Sequence, residues 1–361
     1  MVAPTTWLPR IYQRFQPFWD RATPSCGLAL LLWASAEATG AYPREWRLFL
    51  AGLLFLVGLR WPAVAYAAFT FFISFPLYRI SIYLAAIVLA VLVLTSNWAM
   101  RNLGAAVLVL ITPALLPWHM EAAIPLLAGL WWGELTGALA GGLAALWLKL
   151  LAGMAGQPLD LVQLSGWTPT GGNIIDRFSA FNSLQTLLEL VNPFADTSET
   201  LLLHVLQVFA WALAGYVAGW LARRTWTDRQ RAWAPLFSVL PAVFILELCY
   251  ILPPALGLGA PTQPFGLLNR LEEVIINQLD KLLLLLFVSG LAAAGARMFY
   301  LYLRRPLLRP AHRRAERAPL PKRQSRRPET DVGRPALDWK PAQRPHSTSK
   351  GDDDVIMLEI D

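Results

Sequence analysis

Apolar residues run almost unbroken from position 26 to position 152, cut only by single charges and prolines, and three more apolar runs follow at 201–222, 233–257 and 280–303. Such continuous runs predict helices surrounded by lipid or buried in protein, not half-exposed strands. A helix that crosses a bilayer needs roughly 20 mostly apolar residues, because the hydrocarbon core is about 30 Å thick and each residue rises about 1.5 Å. The three later runs meet that length. Within the first run, breaks are expected near Pro43-Arg44-Glu45, Arg60-Trp61-Pro62, Arg79, Asn97 to Asn102, and Pro117 to Glu121. Trp46, Trp61, Trp98 and Trp118 stand beside those breaks, as indole rings do at headgroup level. Several pieces keep only about 13 to 18 residues, short for a simple span. The pattern predicts an all-α, polytopic integral membrane helical bundle of about ten spans, some of them short or re-entrant.

Composition agrees, because 56% hydrophobic and 15% charged residues lie far from the balance of a soluble domain. The expected organisation is an amphipathic N-terminal segment over 1–25, a first membrane bundle over 26–156, an outer connection over 157–199, a second bundle over 200–303 with an outer loop at 258–279, and a tail over 304–361. Each outer connection carries one stretch with helical apolar spacing, the first through Phe178, Phe181, Leu184 and Leu188, the second through Leu267, Leu271, Val274 and Ile275. Both are expected to lie as helices along the outer surface. Cys26 and Cys249 sit inside apolar runs and offer neither a disulfide framework nor metal-ligand spacing.

Charge sets the orientation. Residues 1–303 carry a net charge of +2 and the tail +5. Arg223, Arg224, Arg229 and Arg231 crowd one connection, and Arg304, Arg305, Arg309, Arg313 and Arg314 follow the last span. Positive loops face the cytoplasm, so both termini are expected there, in a cell membrane. The segment from Arg304 to Arg317 lies directly beneath the last span, so anionic lipid headgroups are its expected partner and nucleic acid is not.

Two intramembrane features stand out. Gly129, Gly133, Gly137, Gly141 and Ala145 recur every fourth residue, a stripe that lets a second helix approach closely. That second helix belongs to the same chain, to another membrane subunit, or to a second copy. Residues 121–152 as one helix would run about 48 Å, so a break near the glycines or a strong tilt is expected. Ionisable residues in apolar surroundings are functional candidates, because an isolated charge in hydrocarbon costs several kcal/mol. Glu134 and Glu247 are the first choices for a substrate path, with His204 behind them. Lys149 and Arg297 are expected to snorkel toward headgroups, and Glu37 and Glu121 to lie near loop boundaries. Metalloprotease, nucleophile-elbow, Walker A and dinucleotide-binding motifs are absent, so no catalytic residue, metal site or cofactor is assigned.

From Arg304 onward proline and arginine dominate, and the segment buries too little to fold alone; a disordered cytoplasmic tether is expected. It ends in Asp352, Asp353, Asp354, Val355, Ile356, Met357, Leu358, Glu359, Ile360 and Asp361, an acidic and apolar peptide of the kind that docks on a partner's sheet edge or groove. Two functions are therefore open. The first is a scaffold or assembly subunit that recruits a cytosolic protein through this peptide. The second is a transport subunit working through membrane carboxylates, energised by a gradient or by a separate ATPase.

Overall fold

The computed structural model describes residues 7–168, 174–175, 194, 197–224, 233–255 and 267–304. The tail from 305 to 361, with the peptide 352–361 expected to dock a partner, and the amphipathic stretch at 178–191 lie outside these residues. Among the described residues the chain is helical, without a strand. The helices are α1 (Trp7–Arg14), α2 (Gln16–Thr39), α3 (Arg44–Arg60), α4 (Pro62–Ile80), α5 (Ile82–Leu94), α6 (Ser96–Arg101), α7 (Leu103–Leu115), α8 (Ala123–Trp132), α9 (Glu134–Met154), α10 (Leu161–Leu164), α11 (Ser198–Ala222), α12 (Ala234–Ala255) and α13 (Leu267–Leu303).

Local chemistry explains the breaks. Gly40 caps α2 in the left-handed conformation at φ +60, and Pro43 then starts α3, whose first turn holds Glu45 and whose last turn holds Arg60, matching the helix dipole. Pro62 opens α4, where a missing N–H is no loss. Later interruptions fall at Ser81, Asn102 and the segment between Trp118 and Ala123. All five expected breaks in the first half thus have a counterpart.

The count of spans does not. Among the described residues five helices are long and apolar enough to cross a membrane: Pro62–Ile80, Glu134–Met154, Ser198–Ala222, Ala234–Pro253 and Asp280–Leu303. The segments Ile82–Leu94, Leu103–Trp118 and Ala123–Trp132 are apolar but shorter, because the breaks cut the first run into pieces below the thickness of the hydrocarbon core. Helix α2 runs through residues 25 and 26, and residues 267–279 form the first part of α13, an unbroken helix of 37 residues. No proline and no glycine precedes Gly290 in α13, so nothing in the sequence stops it at the membrane edge.

Buried residues form two clusters. One gathers Leu28, Leu54, Phe69 and Leu84 from the first helices; the other gathers Ile124, Leu148, Trp211, Leu246 and Leu285 from the later ones. The exterior is also apolar, with Phe71 75% and Leu94 83% exposed, as a surface facing lipid requires. Helix α1 packs against the end of α13, where Gln13 Nε2 donates to the Leu303 carbonyl at 3.0 Å and Tyr12 meets Tyr300 edge-on.

Helices α7 and α8 make a hairpin whose two ends lie together: Gly104, near the start of α7, abuts the Trp132 ring at the end of α8. Its tip, residues 116–122, lies level with Ser289, whose hydroxyl donates to the His119 carbonyl at 3.0 Å. Ser289 is near the middle of the apolar stretch Asp280–Leu303, so the hairpin stops inside the bundle. At its base the chain reverses on Gly133, whose backbone at φ +88 and ψ −176 suits glycine alone.

The glycine stripe therefore does not lie on one helix. Gly129 belongs to α8, Gly137 and Gly141 to α9, and both helices close on α11. A Cβ on Gly137 would sit 2.5 Å from Gly129 Cα, one on Gly215 2.5 Å from the Gly137 carbonyl carbon, and one on Gly141 2.8 Å from the Trp211 carbonyl carbon. The stripe is used within the chain, bringing three helix backbones into contact.

Candidate functional site

Beyond Met154 the chain turns back along α9 and lays residues 157–167 over the hairpin tip, with Leu159, Leu161, Val162 and Leu164 buried. The Gly166 N–H donates to the Leu116 carbonyl at 2.9 Å, tying this loop to the tip. Polar side chains meet where the loop, the tip, α9 and α11 converge.

Lys149 is fully buried, at 0% exposure. Its Nζ lies 2.7 Å from the Leu159 carbonyl, 2.6 Å from Gln207 Oε1 and 3.0 Å from His204 Nδ1, three acceptors for the three ammonium hydrogens. Gln207 Nε2 in turn donates to Asp160 Oδ1 at 2.6 Å, and the Val162 N–H donates to the same oxygen at 3.1 Å. A buried cation and a carboxylate are thereby joined through one amide, which meets the requirement that buried charges be paired and hydrogen-bonded. His204 also meets Phe194, ring centroids 6.1 Å apart. One turn along α11, Trp211 Nε1 donates to the hydroxyl of the fully buried Tyr250 on α12.

At the tip, His119 Nδ1 lies 2.7 Å from Ser165 Oγ. Glu121, two residues on, is 1% exposed, and neither of its carboxylate oxygens has a hydrogen-bond partner. Ser165 stands beside it, and Tyr250 lies nearby. Among the described residues, no three His, Cys, Asp or Glu side chains converge on a point where a metal ion would bind.

The residues singled out from the sequence fare differently. His204 lies in the cluster. Glu247 does not: it is half-exposed on α12, away from the hydrogen bonds just described. Glu134 is not mid-helix but the first residue of α9, where Arg223 Nη1 pairs with its Oε1 at 3.1 Å while Arg223 Nη2 donates to the Trp132 carbonyl at 3.3 Å. That pair sits at the end of the bundle opposite the loop, and Arg223 is 62% exposed. Replacing Arg223 by alanine should lower stability by no more than about 1 kcal/mol, less at high salt, as read from thermal melts at two ionic strengths. A loss of several kcal/mol would make Glu134 part of the buried machinery.

Lys149 corrects the snorkelling expectation. It points into the α9–α11 contact, where its ammonium is wholly buried and hydrogen-bonded within the protein. Glu121, expected near a loop boundary, is at a boundary in the chain but in the interior of the fold. Asp160, Gln207, His119 and Ser165 carried no signal at the level of the sequence, though Gln207 stands one turn before Trp211 on the stripe that continues through Gly215 and Gly219. A separate cavity of about 280 Å³ lies between α4, α5, α7 and α9, lined by Tyr66, Leu92, Trp98, Leu110 and Trp147. Its lining is mostly hydrocarbon and aromatic, with Thr95 and the unpaired indole N–H of Trp98 among the few polar groups, so it carries no charge, and the charged chemistry of the fold lies in the polar cluster instead. No protein-family model, curated protein or solved structure matches the chain.

Proposed function

We propose that the protein is a multi-pass membrane transport subunit of permease type, in which a small polar solute passes the tip of the α7–α8 hairpin. The observation that carries this reading is Glu121, a carboxyl 1% exposed at the hairpin tip inside a bundle of apolar helices, with Ser165 beside it but neither oxygen in a formed hydrogen bond. Ionisable groups among apolar membrane helices are costly, and where they occur they mark substrate or proton pathways. An interrupted helix supports it further, since irregular backbone at membrane depth is tolerated where it is covered by protein or lines a cavity. The Arg223 end, which also gathers Arg224, Arg297 and Arg304, is the cytoplasmic one by its charge. Both termini then face the cytoplasm.

The scaffold reading keeps one specific support, the peptide from Asp352 to Asp361, and the two combine if that peptide recruits an energising ATPase. Substituted-cysteine labelling separates them. In a background with Cys26 and Cys249 replaced by serine, Ser289→Cys places a thiol at the hairpin tip, where Ser289 is now fully buried. A charged, membrane-impermeant thiosulfonate should label it in both right-side-out and inverted vesicles if solute crosses there. Protection from both sides would defeat the transport reading and favour a scaffold, for which loss of a co-purifying protein on deleting residues 352–361 is the positive evidence.

A further inference from the structure

Three groups at the hairpin tip grade from half-buried to fully buried. His119 is half-buried, Ser165 is 9% exposed and Glu121 is 1% exposed. The backbone of His119 is held at φ +53, the one non-glycine residue with positive φ among those described. Such strain persists where the surroundings enforce it, and it concentrates at functional sites. Here the Ser289 hydroxyl holds the His119 carbonyl, and the His119 N–H donates to the Leu116 carbonyl at 3.1 Å. The ring lies over Gly166, where a Cβ would come 3.0 Å from His119 Cε1. The fold thus fixes an imidazole against Ser165, and Ser165 beside a carboxyl that no other side chain serves.

We propose that His119, Ser165 and Glu121 are a proton relay, and that the ligand of the Glu121 site is a proton. A proton arriving from water on the imidazole makes an imidazolium. Its Nδ1 hydrogen passes to Ser165 Oγ as the Ser165 hydroxyl hydrogen passes to the Glu121 carboxylate. The products are a neutral imidazole, an unchanged serine and a neutral carboxylic acid; one proton has moved and no charge remains on the serine. The reverse sequence unloads it. Burial without a hydrogen bond disfavours the carboxylate relative to the acid, so the site holds a proton more readily than an exposed carboxyl does and still gives it up when the relay runs in reverse.

The neighbours agree with a proton and not a metal ion. Ser165 from the loop and Tyr250 from α12 stand nearest the carboxyl, Ser289 from α13 holds the His119 backbone, and the charged groups Lys149 on α9 and Asp160 in the loop belong to the neighbouring network around Gln207. Lys149 is already engaged with three acceptors, so it is not a counter-ion for Glu121. Calcium or magnesium would require about six oxygen ligands, which a single carboxyl and a serine do not supply. The relay rests on the transport reading for its purpose, as the device that loads a coupling proton, but not for its chemistry.

Infrared spectroscopy on the full-length protein in liposomes tests it. A carboxylic-acid carbonyl band that rises and falls with pH is expected, and Glu121→Gln should remove it. Ser165→Ala should leave the band at equilibrium but slow its appearance after a pH jump by about tenfold or more, and Ser165→Thr should restore the rate. His119→Asn, which tolerates the left-handed backbone, should slow loading as Ser165→Ala does. Matched gel-filtration and circular-dichroism profiles show that each variant folds. The relay is overturned if the band survives Glu121→Gln, or if Ser165→Ala loads at the normal rate. A band that behaves as expected in a protein whose Ser289→Cys thiol is protected from both sides would remove the transport reading and leave the relay standing.

Discussion

Replacing Lys149 by methionine should lower the stability of the purified protein by about 3 kcal/mol or more, the range seen when one partner of a buried charged network is removed. Methionine fills much of the volume of the lysine stem, so packing accounts for little of the loss. What is lost is a donor to three buried acceptors at once: the Leu159 carbonyl, Gln207 Oε1 and His204 Nδ1. Asp160 keeps the hydrogen bond donated by Gln207 Nε2 but loses the cation behind it. The double variant Lys149→Met with Gln207→Leu removes acceptor and donor together and should fall short of the sum of the two single losses by about 0.5–3 kcal/mol. Thermal melts in one detergent, followed by tryptophan fluorescence, read all four corners of this cycle. Strict additivity would mean that the hydrogen bonds contribute nothing jointly, and that Lys149 is held by its stem alone.

This lysine also marks the limit of what the sequence disclosed. The spacing that puts Gly137, Gly141 and Ala145 on one face of a helix continues, at the next step of four, to Lys149. Its place in that series decides its surroundings: a residue on the packing stripe faces the partner helix and cannot reach the headgroups, however long its side chain. The stripe on α11 reads the same way, from Gln207 through Trp211 to Gly215 and Gly219. Laid antiparallel, the two stripes put Glu134 against Arg223, Gly137 against Gly215, Gly141 against Trp211 and Lys149 against Gln207. An ion pair closes one end of this zipper and the Lys149 network the other.

Other features had no local signal. The sequence marks Pro117 to Glu121 as a break, yet nothing nearby says that the chain turns back inside the bundle. Direction depends on Gly133, where a positive φ reverses the chain, and a glycine in a stripe of glycines looks like any other. The pairing of Asp160 with Gln207 and of His119 with Ser165 joins positions 47 and 46 residues apart, which only tertiary contact can specify. For the same reason Glu134 and Glu247 ranked above Glu121: their neighbours in the chain are apolar, but burial is set by neighbours in space. Gly133 makes Glu134 the end of a helix, and a half-exposed face of α12 makes Glu247 peripheral.

The glycines of the zipper should respond to substitution by position and not by residue type. Gly137→Ala and Gly215→Ala each add a methyl that meets backbone of a neighbouring helix, Gly129 Cα in the first case and the Gly137 carbonyl carbon in the second, at 2.5 Å in both. Backbone cannot rotate aside as a side chain does, so the helices must separate. A loss of about 1–3 kcal/mol is expected for each, together with lower yield of folded protein. Gly142, one residue from the stripe, is the control: a Cβ there meets Ala212 Cβ at 3.6 Å and Val208 Cγ1 at 4.0 Å, ordinary contact. Gly142→Ala should be neutral or stabilise by up to about 1 kcal/mol, because alanine is the better helix former. Because Gly137 and Gly215 oppose each other, the double variant should be less destabilised than the sum of the singles, the first separation already making room for the second methyl. Melting the four proteins side by side decides the matter: equal behaviour of Gly137→Ala and Gly142→Ala would mean that α9 and α11 are not in backbone contact, and the Lys149 network would lose the frame that holds it in register.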